Sequence, residues 1–372
     1  MRIVIRSKAN AIAMIMVLIV ITVLGILAGG FAYSMKVETH LARLASFETD
    51  FEWMGRSGVE LARMVLGKQF ENRTSEPYDS LKQKWAGGPG NTNEAIAAIS
   101  LDNVPLGPGS CSVLIVDAER KFNIKVANPD VLRQAMTLIG VDAGLSPTIA
   151  DSILDWIDRD NDEHLSGAES DYYMSLDPPY VAKNGWVDDM SELLLLKGIQ
   201  DNPAILWGGS PDDYLLPAFQ ARDHYALKSQ EQISYPVGLN DLFTPLSNGR
   251  ININTAPIGT LQLLLDTNIA SAVIAHRAGL DGQDGTIDDI PFSNVGELIN
   301  VGVPSLVAQQ MGQFFGVQSS VFEVFVDCNI GGFRREYVAV IYRMNQRDIR
   351  VLSMYWRPSS KRDSSENFEA NF

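Results

Sequence analysis

From Ala9 to Met35 the chain carries no charged side chain, and Ala11 to Ala32, AIAMIMVLIVITVLGILAGGFA, is almost wholly apolar. At about 1.5 Å per residue a helix of this length crosses the roughly 30 Å hydrocarbon core of a bilayer. The pattern then changes without a break. Tyr33 to Phe70 holds no proline, and Leu41, Leu44, Phe47, Phe51, Met54, Gly58, Leu61 and Val65 recur at three- and four-residue steps. That spacing draws an apolar stripe down one side of a helix. The two stretches predict one long helix from about Ala11 to Phe70, its first half in a membrane and its second half against a soluble domain.

Beyond it, Arg73 to Pro108 is rich in Gly, Pro, Asn and Ser and reads as loops with short helices. SCSVLIVDAERKFNIKV, Ser110 to Val126, reads as two strands around a turn near Ala118-Glu119. From Asn128 the period becomes helical: PDVLRQAMTLIGV, SPTIADSILDWIDRD, DMSELLLLKGI, NTAPIGTLQLLLD, IASAVIAHRAG, NVGELINVGV and PSLVAQQMGQFF, with Ser146-Pro147, Ser191, Thr255 and Pro257 as start signals. Strands return in SVFEVFVDCNIG, FRREYVAVIYRMN and IRVLSMYWR, which alternate or run apolar and are separated by turn residues. The order helix, strands, many helices, strands predicts an α+β fold. A helical stretch of about 190 residues, 128–318, interrupts a small strand-bearing unit formed by 71–127 and 319–357. The polar tail, 358–372, reads as disordered.

Composition narrows the function. The chain has 372 residues and a formal net charge of −15, which argues against a nucleic-acid partner, because phosphate binding needs a basic surface. LLKGI followed by Asn202-Pro203, and NVGVPSLVA, resemble halves of helix-hairpin-helix units. With acidic flanks they read as tight helix connections. Arg2, Arg6 and Lys8 precede the apolar run, so the N-terminus stays in the cytoplasm and the chain beyond the apolar run is exported. A cleaved signal peptide is the alternative, with Ala28-Gly29-Gly30 as its site. Cys111 and Cys328 form either one bridge or two core thiols.

Two stretches concentrate acid. In DWIDRDNDEHLSGAESDYY, Asp158, Asp160, Asp162 and Glu169 occupy positions 1, 3, 5 and 12 of an EF-hand-like loop, with His164 placed to give the position-7 carbonyl. Position 6, normally glycine, is Glu163. Gathered carboxylates need a cation, and all-oxygen ligands suit calcium; the alternative is an open, solvated loop. LDGQDGTIDDI offers Asp281, Asp284, Asp288 and Asp289 on a glycine-rich turn as a second candidate. One or two structural calcium ions are therefore expected. Zinc is not, since His and Cys do not cluster. No catalytic set emerges: the histidines are scattered, and Ser57 lies mid-helix rather than on a strand-to-helix elbow. The chain reads as non-enzymatic.

The start ANAIAMIMVLIVITVLGILAGGFAYSMKVETHLAR, with DWIDRDND, GAESDYY, PPYVAKNG, SELLLLKGI and ININTAP in order, resembles the general secretion pathway protein K family, the minor pseudopilins K of type II secretion systems, over about residues 8 to 356. The resemblance implies a pilin-like long N-terminal helix with a small antiparallel sheet. Into it is set a large all-helical insertion (of SAM or helix-hairpin-helix type) bearing two calcium loops. It also implies a leader, 1–11, removed by prepilin peptidase after Ala11, where the family usually has Gly, so that the helix 12–70 starts at Ile12. The fifth mature residue is then Met16, where most pilin-like subunits carry Glu to meet a neighbour's amine; an apolar residue there is the family's pattern for a subunit at the filament tip. The implied partners are the I- and J-type minor pseudopilins, the major pseudopilin, the peptidase and the inner membrane, with the soluble part periplasmic. A membrane-anchored calcium-dependent binding module without a filament role is the competing reading.

Overall fold

The computed structural model describes residues 8–91, 95–209 and 234–357, so the basic pair Arg2 and Arg6 and the tail from Pro358 lie outside the described residues. Helix α1, Lys8–Ser46, runs into α2, Glu48–Glu71, through a single irregular residue, Phe47. The join stays bonded: Phe47 N–H donates to Arg43 O and Leu44 O, and Phe51 N–H to Phe47 O. The expected long helix is present with one bend. Met14 to Met35 is exposed on every side, because its apolar residues have no protein partner. In α2 the exposure becomes one-sided, and Phe51, Met54, Gly55, Gly58, Val59, Ala62, Val65 and Leu66 are buried.

That face lies on a five-stranded antiparallel sheet of order β1-β2-β7-β8-β9: β1 Val104–Leu106, β2 Gly109–Asp117, β7 Val321–Ile330, β8 Phe333–Arg343 and β9 Ile349–Arg357. The last three match the three strand segments of the sequence; α2 packs on β7 and β8, whereas the edge strand β9 is buried only at Ile349. Gly331 and Gly332, both at positive φ, close the two-residue hairpin between β7 and β8. Helix and sheet approach closely because α2 has no side chain at two contact points. A Cβ on Gly58 would lie 2.3 Å from Val326 Cγ1, and one on Gly55 2.5 Å from the Tyr337 ring. At the start of α2, Arg335 makes a two-pronged ion pair with Glu48 (2.7 Å each) and stacks on Trp356 (4.3 Å).

Cys111 and Cys328 are direct cross-strand partners on β2 and β7, both buried and both free thiols. Burial pushes the Cys328 thiol up to about 12.

Between β2 and β7 a second apolar core gathers residues from Phe122 to Phe315. Its elements are short: α3 Pro129–Ile139, α4 Ser146–Ile157, α5 Ser170–Tyr173, α6 Ala204–Trp207, α7 Leu239–Leu242, α8 Ile258–Leu261, α9 Thr267–Arg277 and α10 Ser305–Met311. The segments SELLLLKGI and NVGELINVGV form 3₁₀ turns, Met190–Leu195 and Val295–Val301. The first opens on a capping box, Asp189 with Glu192.

The structure corrects two expectations. The second strand of Ser110–Val126 is only β3, Phe122–Asn123, and it pairs in parallel with β4, Phe243–Thr244, not with β2. Asp117 caps a 3₁₀ turn at Ala118–Arg120 by accepting from Glu119 N–H, and this turns the chain out of the sheet. The insertion is also not purely helical, since β5 Ile251–Asn252 pairs with β6 Phe315–Gly316.

A buried polar seam joins the two cores. Asp117 Oδ2 accepts from Thr255 Oγ1 (2.6 Å), Ser319 Oγ (2.6 Å) and Asn252 Nδ2 (3.2 Å). Asp79 accepts from Arg343 Nη2 (2.7 Å to each oxygen), Arg73 Nη2 (2.8 Å) and Ser319 N–H (2.9 Å). Asn252 and Thr255 belong to ININTAP, so that segment is a buried bracket between insertion and sheet, and Thr255 is part of it rather than a helix cap.

Candidate functional site

The first acidic loop grows from the end of α4. Asp151 and Asp155 stand one helical turn apart and receive the returning chain: Ser166 N–H donates to Asp151 Oδ2 (3.1 Å), and Ala168 N–H to Asp155 Oδ2 (2.7 Å). The return is tight, since a Cβ on Gly167 would sit 1.9 Å from Asp155 Oδ2. This delivers Glu169, 5% exposed, back onto Asp158 at the helix terminus.

Acidic oxygens of Asp158, Asp160 and Glu169 come within 4.8 Å of one another. Among the described residues, neither oxygen of Glu169, and not Oδ1 of Asp158, has a hydrogen-bond partner. Burial, then the charges of Asp155 and Asp158, push Glu169 up to about 7. Burial, then Asp160, raises Asp158. Orphaned buried carboxylate oxygens aimed at a common point are what a hard cation with oxygen ligands requires. The residues fit calcium.

Asp162 and His164 do not join them. Asp162 is exposed, and its N–H donates to Asp160 Oδ1 (3.0 Å). The His164 carbonyl accepts from Gly167 N–H (3.0 Å), and its ring contacts the buried Asp155, whose carboxylate raises the imidazole pKa. Asp155, His164 and Asp158 thus form a second, overlapping group. With Glu163 in place of the turn glycine, the loop does not follow an EF-hand path. The EF-hand spacing passes over Asp155. Its signal is its place one helical turn from Asp151 on the face of α4 that meets the loop.

The second loop is built differently. Asp284 is held by Arg277 through Nε (2.9 Å) and Nη2 (2.6 Å). Asp288 accepts from Leu280 and Asp281 N–H and from Thr286 Oγ1, which hold it down at about 2. Asp289 accepts from Gly285 and Thr286 N–H, and Asp281 from Gln283 N–H. These carboxylates tie the turn together around one guanidinium. Among the described residues no three of these carboxylates converge as they do in the first loop.

At the other end of the molecule, Ala11 and Ile12 fall within the backbone of α1, and their side chains lie outside the described residues. Met16 is 59% exposed on the apolar part of that helix. The stretch from Met14 has a mean hydropathy of 2.7 and none of it is buried in the protein.

Residues 114–203 match the family described as type II secretion system (T2SS), protein K. The chain is 27% identical over 365 residues to type II secretion system protein K of Pseudomonas aeruginosa, covering 94% of this chain and 93% of that one. It is 24% identical to type II secretion system protein K of Pectobacterium carotovorum, covering 53% of this chain and 60% of the relative. Among solved structures it resembles the GspK-GspI-GspJ complex of the enterotoxigenic Escherichia coli type 2 secretion system. The TM-score is 0.59 and the identity 18%, over 86% of this chain and 99% of that one. That likeness carries the fold, and the near full-length match to the Pseudomonas relative adds the sequence. With the long helix, the sheet beneath it and the inserted second core, this chain is similar to type II secretion system protein K over nearly its whole length.

Proposed function

We propose that this chain is a minor pseudopilin that occupies the tip of a short periplasmic pseudopilus and starts or caps its assembly for protein export. The observation that carries the reading is α1, whose stretch Met14 to Met35 has no charge and is exposed on all sides, and which continues into a helix cemented to a sheet. Such a rod is stable only in lipid or among other such rods. Subunits like the I and J components of the solved complex are the partners, with the major pseudopilin below.

The terminal place rests on two features. Met16, on an apolar helix, offers no carboxylate to the amine of a subunit above, and an unpaired charge in hydrocarbon is costly. The insertion between β2 and β7 adds bulk that a packed filament interior does not admit. The helix anchors the chain in the inner membrane with its first residues cytoplasmic. The role is structural, not enzymatic.

Calcium belongs to the loop of Asp158, Asp160 and Glu169. There it neutralises the crowded carboxylates and fixes the end of α4 against the start of α5, with mass-action stabilisation of the exported domain.

The test is the mature N-terminus, read by mass spectrometry on protein from native membranes with and without prepilin peptidase. A peptidase-dependent, N-methylated start at Ile12 is expected. An intact Met1, or a cut near Gly30, refutes the assignment.

A further inference from the structure

The seam between insertion and sheet opens into a cavity of about 520 Å³ whose lining carries three arginines, Arg73, Arg250 and Arg343, and no carboxylate. In a chain of net charge −15 this is a local reversal of sign. Arg73 and Arg343 both reach one acid, Asp79, at 2.8 and 2.7 Å, so one carboxylate faces two guanidinium groups. Arg343 is buried, yet among the described residues its Nε has no partner. The exposed guanidinium of Arg250 has no hydrogen bond or ion pair among the described residues. Only its backbone N–H is engaged, by Asn248 Oδ1 (3.0 Å). Glu119 does not line the cavity, and it already accepts from the Ser320 N–H (3.1 Å) and hydroxyl (2.6 Å). The rest of the wall mixes apolar side chains such as Phe70, Phe315 and Met344 with polar ones such as Asn294, Gln318 and Ser320, and the Phe70 ring lies 4.4 Å beneath the Arg73 guanidinium.

Guanidinium groups are planar forks matched to the oxygens of carboxylate, sulfate and phosphate. A concave site of several hundred cubic ångströms with a few convergent polar groups and apolar walls is the form of a ligand pocket. We propose that this cavity binds an oxyanion carried on a small apolar body, with Arg250 closing on it from the insertion side and Arg73 and Arg343 facing it from the sheet side. The ligand bridges the two cores, so occupancy fastens the insertion to the sheet. The oxyanion comes either from a free inorganic or organic anion or from the terminal carboxylate of a polypeptide.

The experiment is thermal unfolding of the full detergent-solubilised chain at fixed ionic strength and saturating calcium. The probes are sodium sulfate, N-acetyl-leucine and N-acetyl-leucinamide, each against chloride, on the parent and on Arg250→Ala. Because the Arg250 guanidinium is exposed and makes no hydrogen bond or ion pair among the described residues, the variant is expected to unfold close to the parent's temperature when no probe is present. A saturable upward shift with sulfate alone assigns a free anion. A shift with N-acetyl-leucine that its amide does not reproduce assigns a chain-end carboxylate. In either case the midpoint concentration rises about tenfold or more in Arg250→Ala, as expected for one lost charge-assisted contact. No saturable shift with any probe, or a shift that Arg250→Ala leaves unchanged, overturns the proposal.

Discussion

Glu119→Gln tests the electrostatics of the seam. Glu119 is 1% exposed, and burial, followed by the charge of Asp117, pushes it from an ordinary 4.5 up to about 7. The native protein therefore holds this proton over a range in which the unfolded chain has released it. Stability from this group is complete below about pH 4.5, falls as pH rises, and is flat above about pH 7. The interval corresponds to a loss of about 3 kcal/mol, at about 1.36 kcal/mol per tenfold. Glutamine keeps an acceptor for the Ser320 N–H and hydroxyl (3.1 and 2.6 Å) and removes the charge. Glu119→Gln should therefore be stabilising by up to about 3 kcal/mol at pH 8 and near neutral at pH 4.5. Chemical unfolding of parent and variant at both pH values, with calcium held constant, reads the difference directly. An equal effect at the two pH values, or a variant less stable than the parent at pH 8, refutes the reasoning.

Glu169→Gln should abolish most of the rise in melting temperature that calcium gives the parent, a rise worth about 3 kcal/mol when calcium exceeds its dissociation constant a hundredfold. Since Glu169 is held near 7 without metal, the metal-free parent should lose stability between about pH 4.5 and pH 7, and calcium should matter more at pH 8 than at pH 5; a chelator effect that ignores pH and the substitution counts against the site. Gly58→Ala gains about 1 kcal/mol of helix propensity but drives a methyl 2.3 Å from Val326 Cγ1, so the sum should be destabilising by about 1–2 kcal/mol. In that background Val326→Ala should cost less than it does alone, and additive costs in a double-mutant cycle would show that the close approach is not felt.

The parts of this fold legible in the sequence are those governed by local period. β7 alternates because α2 covers one of its faces, and the long helix passes from a stretch apolar all round, Met14 to Met35, to one with a buried stripe in α2. The illegible parts depend on partners far along the chain. Phe122-Asn123 has strand composition, but its mate is Phe243-Thr244, and nothing near it in sequence says so. The two acidic loops look alike in sequence because aspartates that converge on a common point and aspartates that accept from their own backbone are equally clustered in a turn-rich stretch. The difference lies in Arg277, contributed by the preceding helix, and in Asp155, which takes the backbone bonds of the first loop and leaves Glu169 free. ININTAP reads as a helix start because Thr and Pro open helices; its Asn and Thr instead serve a carboxylate on a strand more than a hundred residues earlier.

The connectivity has a mechanical consequence. The inserted core leaves the sheet at Asp117 and re-enters it beside that residue, where Asp117 is in register with Phe322. Topologically it is an overgrown hairpin loop, and tension applied along the rod travels through α1, α2 and the strands without passing through it. The inserted core is a side-branch to the line of force: it can loosen while the shaft stays intact, and thrust on the shaft reaches it through the polar seam and side contacts such as Lys82 with the Asp289 carbonyl.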